Sequence, residues 1–88
     1  MVLYCRRNSL GVNRLGYTVS TKLGHAVVRN RVRRRLRELY RLNSPAMKKG
    51  FDIVVVARSR CVGARYAKMN AAFLEACGTL GLLREDRA

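Results

Sequence analysis

The chain has 88 residues, with 19 Lys plus Arg against 5 Asp plus Glu and a formal net charge of +14. That length excludes a multidomain enzyme and allows one small core, burying about 60–65% of the unfolded surface. A hydrophobic share of 49% excludes a disordered basic tail. Val2-Leu3-Tyr4-Cys5 is β-prone and leads through Arg6-Arg7-Asn8-Ser9 to a turn-like Gly11-Val12-Asn13. From Arg14 to Thr21 the sequence alternates, with Leu15, Tyr17 and Val19 on one side and Gly16, Thr18 and Ser20 on the other. That period of two describes a half-buried strand, and the short connection before it predicts an antiparallel hairpin. Thr21-Lys22-Leu23-Gly24-His25 then leads into a helix over about 26–42, where Val28, Val32, Leu36 and Leu39 recur at helical spacing. Asn43-Ser44-Pro45 closes it, because the residue before a proline avoids the helical region. After Lys48-Lys49-Gly50, the β-branched run from Phe51 to Ala57 predicts a strand covered on both faces. A second helix over about 65–80 sets Tyr66, Met69, Phe73, Ala76 and Leu80 on one side, with Gly78 or Gly81 near its end.

The order β-β-α-β-α predicts an α+β two-layer sandwich, a small three-stranded sheet packed by two helices. The strands before and after the first helix are suited to parallel pairing across it. One domain over 1–84 accounts for the fold, leaving a polar tail over 85–88.

The chemistry is carried by cations. Of the 19, 15 are Arg, whose planar fork suits bidentate phosphate contacts and stacking on bases better than Lys does. Cys5, Cys61 and Cys77 form no CxxC pair, and His25 cannot complete a zinc set with them. An odd cysteine count without a secretory signal reads as reduced thiols in the cytoplasm, and no run approaches a membrane span. On a wheel at about 100° per residue, Val28, Val32, Leu36 and Leu39 mark the inner side of the first helix. Asn30, Arg33, Arg34, Arg37 and Arg41 fall opposite, Arg29 lies at their margin, and Arg31 and Arg35 sit nearer the apolar stripe, where they must snorkel or bind something beside the sheet. Arg29, Arg33, Arg37 and Arg41 form a ladder of like charges that weakens an isolated helix by a few tenths of a kcal/mol per pair. Glu38 is the only acid in this segment, so the pattern is poor for solvation and good for a polyphosphate. The residues alone leave open a structured-RNA binder of ribosomal type and a DNA-binding module, though so dense an Arg face suits phosphates better than base discrimination.

The run Lys22-Leu23-Gly24-His25-Ala26-Val27-Val28-Arg29-Asn30-Arg31-Val32-Arg33-Arg34-Arg35-Leu36-Arg37 resembles the signature of the bacterial ribonuclease P protein subunit. The flanks match too, Gly16 to Ser20 before it and Asp52 to Arg58 after it, so the similarity runs from about residue 2 to 83. The resemblance implies a protein that partners a large catalytic RNA and helps it remove the 5′ leader from precursor tRNA. The RNA, with bound Mg2+, performs the hydrolysis; the chain itself holds no catalytic residues, no metal and no cofactor, and needs no protein partner or membrane. Carried over by position, Arg29, Asn30, Arg31, Arg33, Arg34 and Arg37, with Arg41 and Lys22 beside them, face the catalytic RNA. Tyr4 matches an aromatic residue on the sheet floor that holds the leader, with Arg6 on the same strand; an ordinary sheet aromatic is the other reading of Tyr4. His25 is expected to cap or hydrogen-bond near the helix start. Arg58, Arg60 and Arg65 extend the basic surface or form a solvated loop, and Cys61 and Cys77 fill core or loop positions. Family members normally carry a further N-terminal helix whose Phe residues wall the leader cleft. Nothing like it occurs before Val2; if that helix is absent, one face of the sheet and half of the leader groove are expected to be uncovered.

Overall fold

A computed structural model describes residues 1–84. The elements are β1 (Val2–Arg7), β2 (Arg14–Thr18), α1 (Ala26–Asn43), β3 (Phe51–Val56) and α2 (Tyr66–Thr79), joined by single 3₁₀ turns at Thr21–Leu23, Ser44–Ala46 and Ser59–Cys61. The α+β order β-β-α-β-α is as expected, and the tail proposed over 85–88 lies outside the described residues.

The sheet order is β1-β3-β2. β3 pairs in parallel with β2, from Arg14 beside Asp52 to Thr18 beside Val56, as the crossover through α1 implied. It pairs antiparallel with β1, from Val2 opposite Val56 to Arg7 opposite Phe51. The expected β1–β2 hairpin is therefore wrong, because β3 lies between them. The loop explains why. The Asn8 N–H donates to the Gly50 carbonyl at 2.9 Å, while the Asn13 side chain accepts from the Phe51 N–H and donates to the Lys48 carbonyl, both at 3.0 Å. These bonds hold the connection across the start of β3, so it spans a strand instead of turning back on β1.

Alternation then sorts the side chains. Leu3, Ile53 and Val55 turn inward against Val32, Leu36 and Leu39 of α1 and Met69, Phe73 and Cys77 of α2, forming one core. Val28 is only half-buried at the front end of the α1 stripe. β3 is covered on one face and not two: Ile53 and Val55 are each 1% exposed, whereas Val54 between them is 39% exposed. An apolar run reads alike whether its second face meets protein or stays open. The α2 stripe also differs from expectation, since Tyr66 and Leu80 are exposed and the fully buried Cys77 replaces them. Its spacing of four through Met69, Phe73 and Cys77 follows the row that faces the sheet, and the two expected end residues overhang it.

The carboxyl end of each helix has a specific closure. Gly81, at φ +71°, lets the Leu82 N–H reach the Cys77 carbonyl at 2.9 Å and the Gly81 N–H reach the Gly78 carbonyl at 3.2 Å. That double bond pattern reverses the chain and drops Leu82 into the core. The Asn43 amide donates to the Leu39 carbonyl at 2.9 Å and to Asn70 Oδ1 at 2.8 Å, tying the end of α1 to α2.

Candidate nucleic-acid interface

With Val32, Leu36 and Leu39 inward, the helical period throws the arginines of α1 outward. Arg31, Arg34 and Arg37 are exposed, and Arg33 is half-exposed with its Nη1 donating to Asn30 Oδ1 at 3.1 Å. Asn30 thus steadies one fork on the outer face and keeps its own amide donors free. Arg29 is half-buried, and its Nε is buried with no hydrogen-bond partner. Arg37 also acts inward: its charge opposes the burial that raises the Tyr17 pKa. Arg41 is engaged differently from the rest. Its Nε donates to Glu38 Oε2 at 3.1 Å and its Nη2 to Oε1, a pairing that lowers the Glu38 pKa and raises that of Arg41. Arg35, beside the apolar stripe as expected, donates to the Ala64 carbonyl at 2.8 Å and so ties α1 to the loop that leads into α2. His25 does occupy the N-cap, with extended backbone, but its imidazole makes no capping hydrogen bond; the expected capping role is wrong. The ring is exposed to solvent, and the α1 start rests on backbone alone, the Arg29 N–H bonding the His25 carbonyl at 3.0 Å.

A second surface lies on the open face of the sheet. The register aligns Val2, Val56 and Thr18 in one row, Tyr4, Val54 and Gly16 in the next, and Arg6, Asp52 and Arg14 in the third. Val2, Tyr4 and Arg6 therefore share one face. Tyr4 is 58% exposed, and the absence of a side chain at Gly16 keeps its row low. Tyr4, Arg6, Asp52 and Val54 line a shallow hollow of about 320 Å³. Asp52 accepts from Arg14 through Nε and Nη2, both at 2.7 Å, and from Asn8 Nδ2 at 3.0 Å, with Arg6 Nε 3.6 Å away. The Arg14 fork holds the Asp52 carboxyl well below the usual carboxylate range, with Asn8 helping.

Lys22 does not sit on the outer face of α1. With Arg58, Ser20 and Ser59 it lines a hollow of about 370 Å³ at the carboxyl ends of the parallel β2 and β3. Crossover folds commonly present ligand sites at such strand ends. The sequence does not single out Arg14, and it leaves Arg58 between a basic surface and a solvated loop. The polar side of the β2 alternation, Arg14-Gly16-Thr18, held the signal for the first. Arg58 becomes legible only once β2 and β3 are known to be neighbours. Burial raises the Cys77 thiol to about 11, while Cys61 is also buried; both fill core positions. Among the described residues no group of three His, Cys, Asp or Glu gathers to hold a metal ion, and no helix is long and apolar enough to cross a membrane.

A family model described as Ribonuclease P matches residues 1–81. The chain belongs to the ribonuclease P protein family. It is 42% identical over 83 residues to the ribonuclease P protein component of Alkaliphilus oremlandii, covering 94% of this chain and 73% of that protein. The solved RNase P protein of Staphylococcus aureus superposes with a TM-score of 0.81 at 26% identity, over 93% of this chain and 75% of the other. That of Thermotoga maritima gives 0.77 at 32% identity, over 83% and 70%. The three-stranded sheet packed by two helices is thus the ribonuclease P protein fold, and the chain has its place in tRNA 5′ processing.

Proposed function

We propose that this chain is the RNA-binding subunit of a cytoplasmic ribonuclease P holoenzyme whose catalytic RNA performs the cleavage. The outer face of α1, through Arg29, Asn30, Arg31, Arg33, Arg34 and Arg37, meets the phosphates of the catalytic RNA. Arg41 joins this face at its far end, where Glu38 already holds one edge of its fork. The open sheet takes the single-stranded 5′ leader of precursor tRNA, with Tyr4 stacking on a base and Arg6 contacting a phosphate. Lys22 contacts RNA from the hollow at the strand ends.

The observation that carries this reading is the run of exposed guanidinium groups at Arg31, Arg34 and Arg37 without a neutralising acid among them. Such a face is costly for an isolated helix and suits a polyanion. The chain contributes binding and not chemistry. The charged site on the sheet, Asp52, has both oxygens engaged by Arg14 and Asn8, and so does not fit the hard-oxygen set that Mg2+ demands. In this reading Mg2+ is held by the catalytic RNA, and the chain acts without a further protein.

Reconstitution with the cognate catalytic RNA tests this. Adding the chain should lower the Mg2+ concentration required for leader removal from precursor tRNA. No effect at any protein concentration would refute it, and co-sedimentation with ribosomes together with indifference to precursor tRNA would favour a structured-RNA binder of another kind.

A further inference from the structure

The row Arg6–Asp52–Arg14 contains a contradiction. A surface meant for phosphates has a carboxylate at its centre, and simple charge counting makes that carboxylate repulsive. Its hydrogen bonds suggest another use. Asp52 accepts from the Nε and Nη2 edge of Arg14, two bonds of 2.7 Å that fix the guanidinium in the plane of a bidentate pair. A guanidinium has five N–H donors, so the Nη1 and Nη2 edge of Arg14 keeps its outward donors. The Arg14 side chain remains 60% exposed while pinned, and Arg6, 81% exposed, is drawn to the other side of the same carboxylate. Asp52 itself is anchored by Asn8 and is only 19% exposed at its side chain. The Tyr4 ring lies one row away on the same face.

We propose that Asp52 is a positioning residue for single-stranded RNA: it locks one edge of Arg14 and gathers Arg6, so that the free edge of Arg14 meets a leader phosphate beside a base stacked on Tyr4. This rests on the reading that the leader lies on the open sheet face. Long-range attraction is not what Asp52 supplies, since it subtracts a charge. It supplies a fork that is oriented before RNA arrives, which reduces the side-chain ordering that binding would otherwise require.

The sign of one substitution separates positioning from charge. In the reconstituted holoenzyme, Asp52→Asn adds a unit of positive charge; if charge alone counted, precursor tRNA with a long leader would bind more tightly. Positioning predicts the reverse, a fall of about tenfold in the preference for a long over a one-nucleotide leader, the worth of one charge-assisted contact. The loss should appear in KM and not in kcat. Arg14→Lys preserves the charge but cannot offer two edges, so it should lose the same preference; it also keeps the test open if Asp52→Asn fails to fold. The double variant should lose little more than either single one. Unchanged or tightened long-leader binding in a folded Asp52→Asn holoenzyme, or full preference retained in Arg14→Lys, overturns the proposal. Tyr4→Ala keeps the two ideas apart. If it lowers leader preference while Asp52→Asn does not, only the positioning role fails. If Tyr4→Ala also leaves leader preference intact, the sheet-face reading fails with it.

Discussion

Asp52 shows how much a single side chain can organise when its neighbours come from two flanking strands and a loop. Arg6 on β1 and Arg14 on β2 converge on it because both are its register partners across β3, and Asn8 reaches it from the loop after β1. A carboxyl stabilised in its charged form by these partners makes its contribution to stability above its ordinary value of 3.8, and loses it as the pH falls below that toward its depressed native value. Glu38 is depressed in the same direction by Arg41 and loses its contribution in the same window. Urea unfolding of the wild type should therefore weaken as the pH falls from about 4 toward about 2 by more than that of Asp52→Asn, in which the Glu38 part remains. Equal weakening in the two proteins would show that the Asp52 pairings do not hold the native sheet. Few of these contacts were legible in the sequence. Asp52 is surrounded there by Phe51 and Ile53, and nothing near it in the chain marks the two arginines that meet it.

At the scale of elements, the helices were the readable part and the sheet was not. α1 could be read from Val32, Leu36 and Leu39 because a helix fixes its neighbours within one turn, whatever the rest of the fold does. Strand neighbours are chosen by tertiary structure. The β1–β2 loop is short enough for a hairpin, yet Asn8 and Asn13 bind it to the entrance of β3. The open face was equally hidden, since Val54 sits in an apolar run that gives no sign of which residues lack cover. The α1 stripe gives a direct check on the inward face. Leu39, 0% exposed, sits under the helix where it meets the core, and Leu39→Ala should cost about 2–5 kcal/mol through the cavity it leaves. Chemical denaturation measures this, and a cost within about 0.5 kcal/mol, typical of surface changes, would mean that α1 is seated in another register.

For the whole molecule, charge and core are separated into layers. Among the described residues the buried set contains no polar or charged residue, so their positive charge lies outside the core, where it opposes compaction until a polyanion arrives. Two surfaces share that charge. The outer side of α1 presents forks in a helical array, suited to the fixed phosphates of a folded RNA, while the sheet floor combines an aromatic ring, a glycine-lowered row and Arg14 held by Asp52 beside Arg6, suited to a flexible strand. α1 connects them, since the same helix that covers the core face of the sheet projects its arginines away from it. The most direct measurement of this arrangement is the salt dependence of binding to the cognate catalytic RNA, for the wild type and for a variant carrying Arg33→Glu and Arg37→Glu. Affinity falls with salt by about 0.7–0.9 logarithmic units per phosphate neutralised, so loss of two contacts should make the slope shallower by at least about 1.4. Far-UV circular dichroism should be unchanged, because neither side chain belongs to the buried stripe. A variant that keeps its helical signal and still binds the RNA with the full wild-type slope would contradict the account.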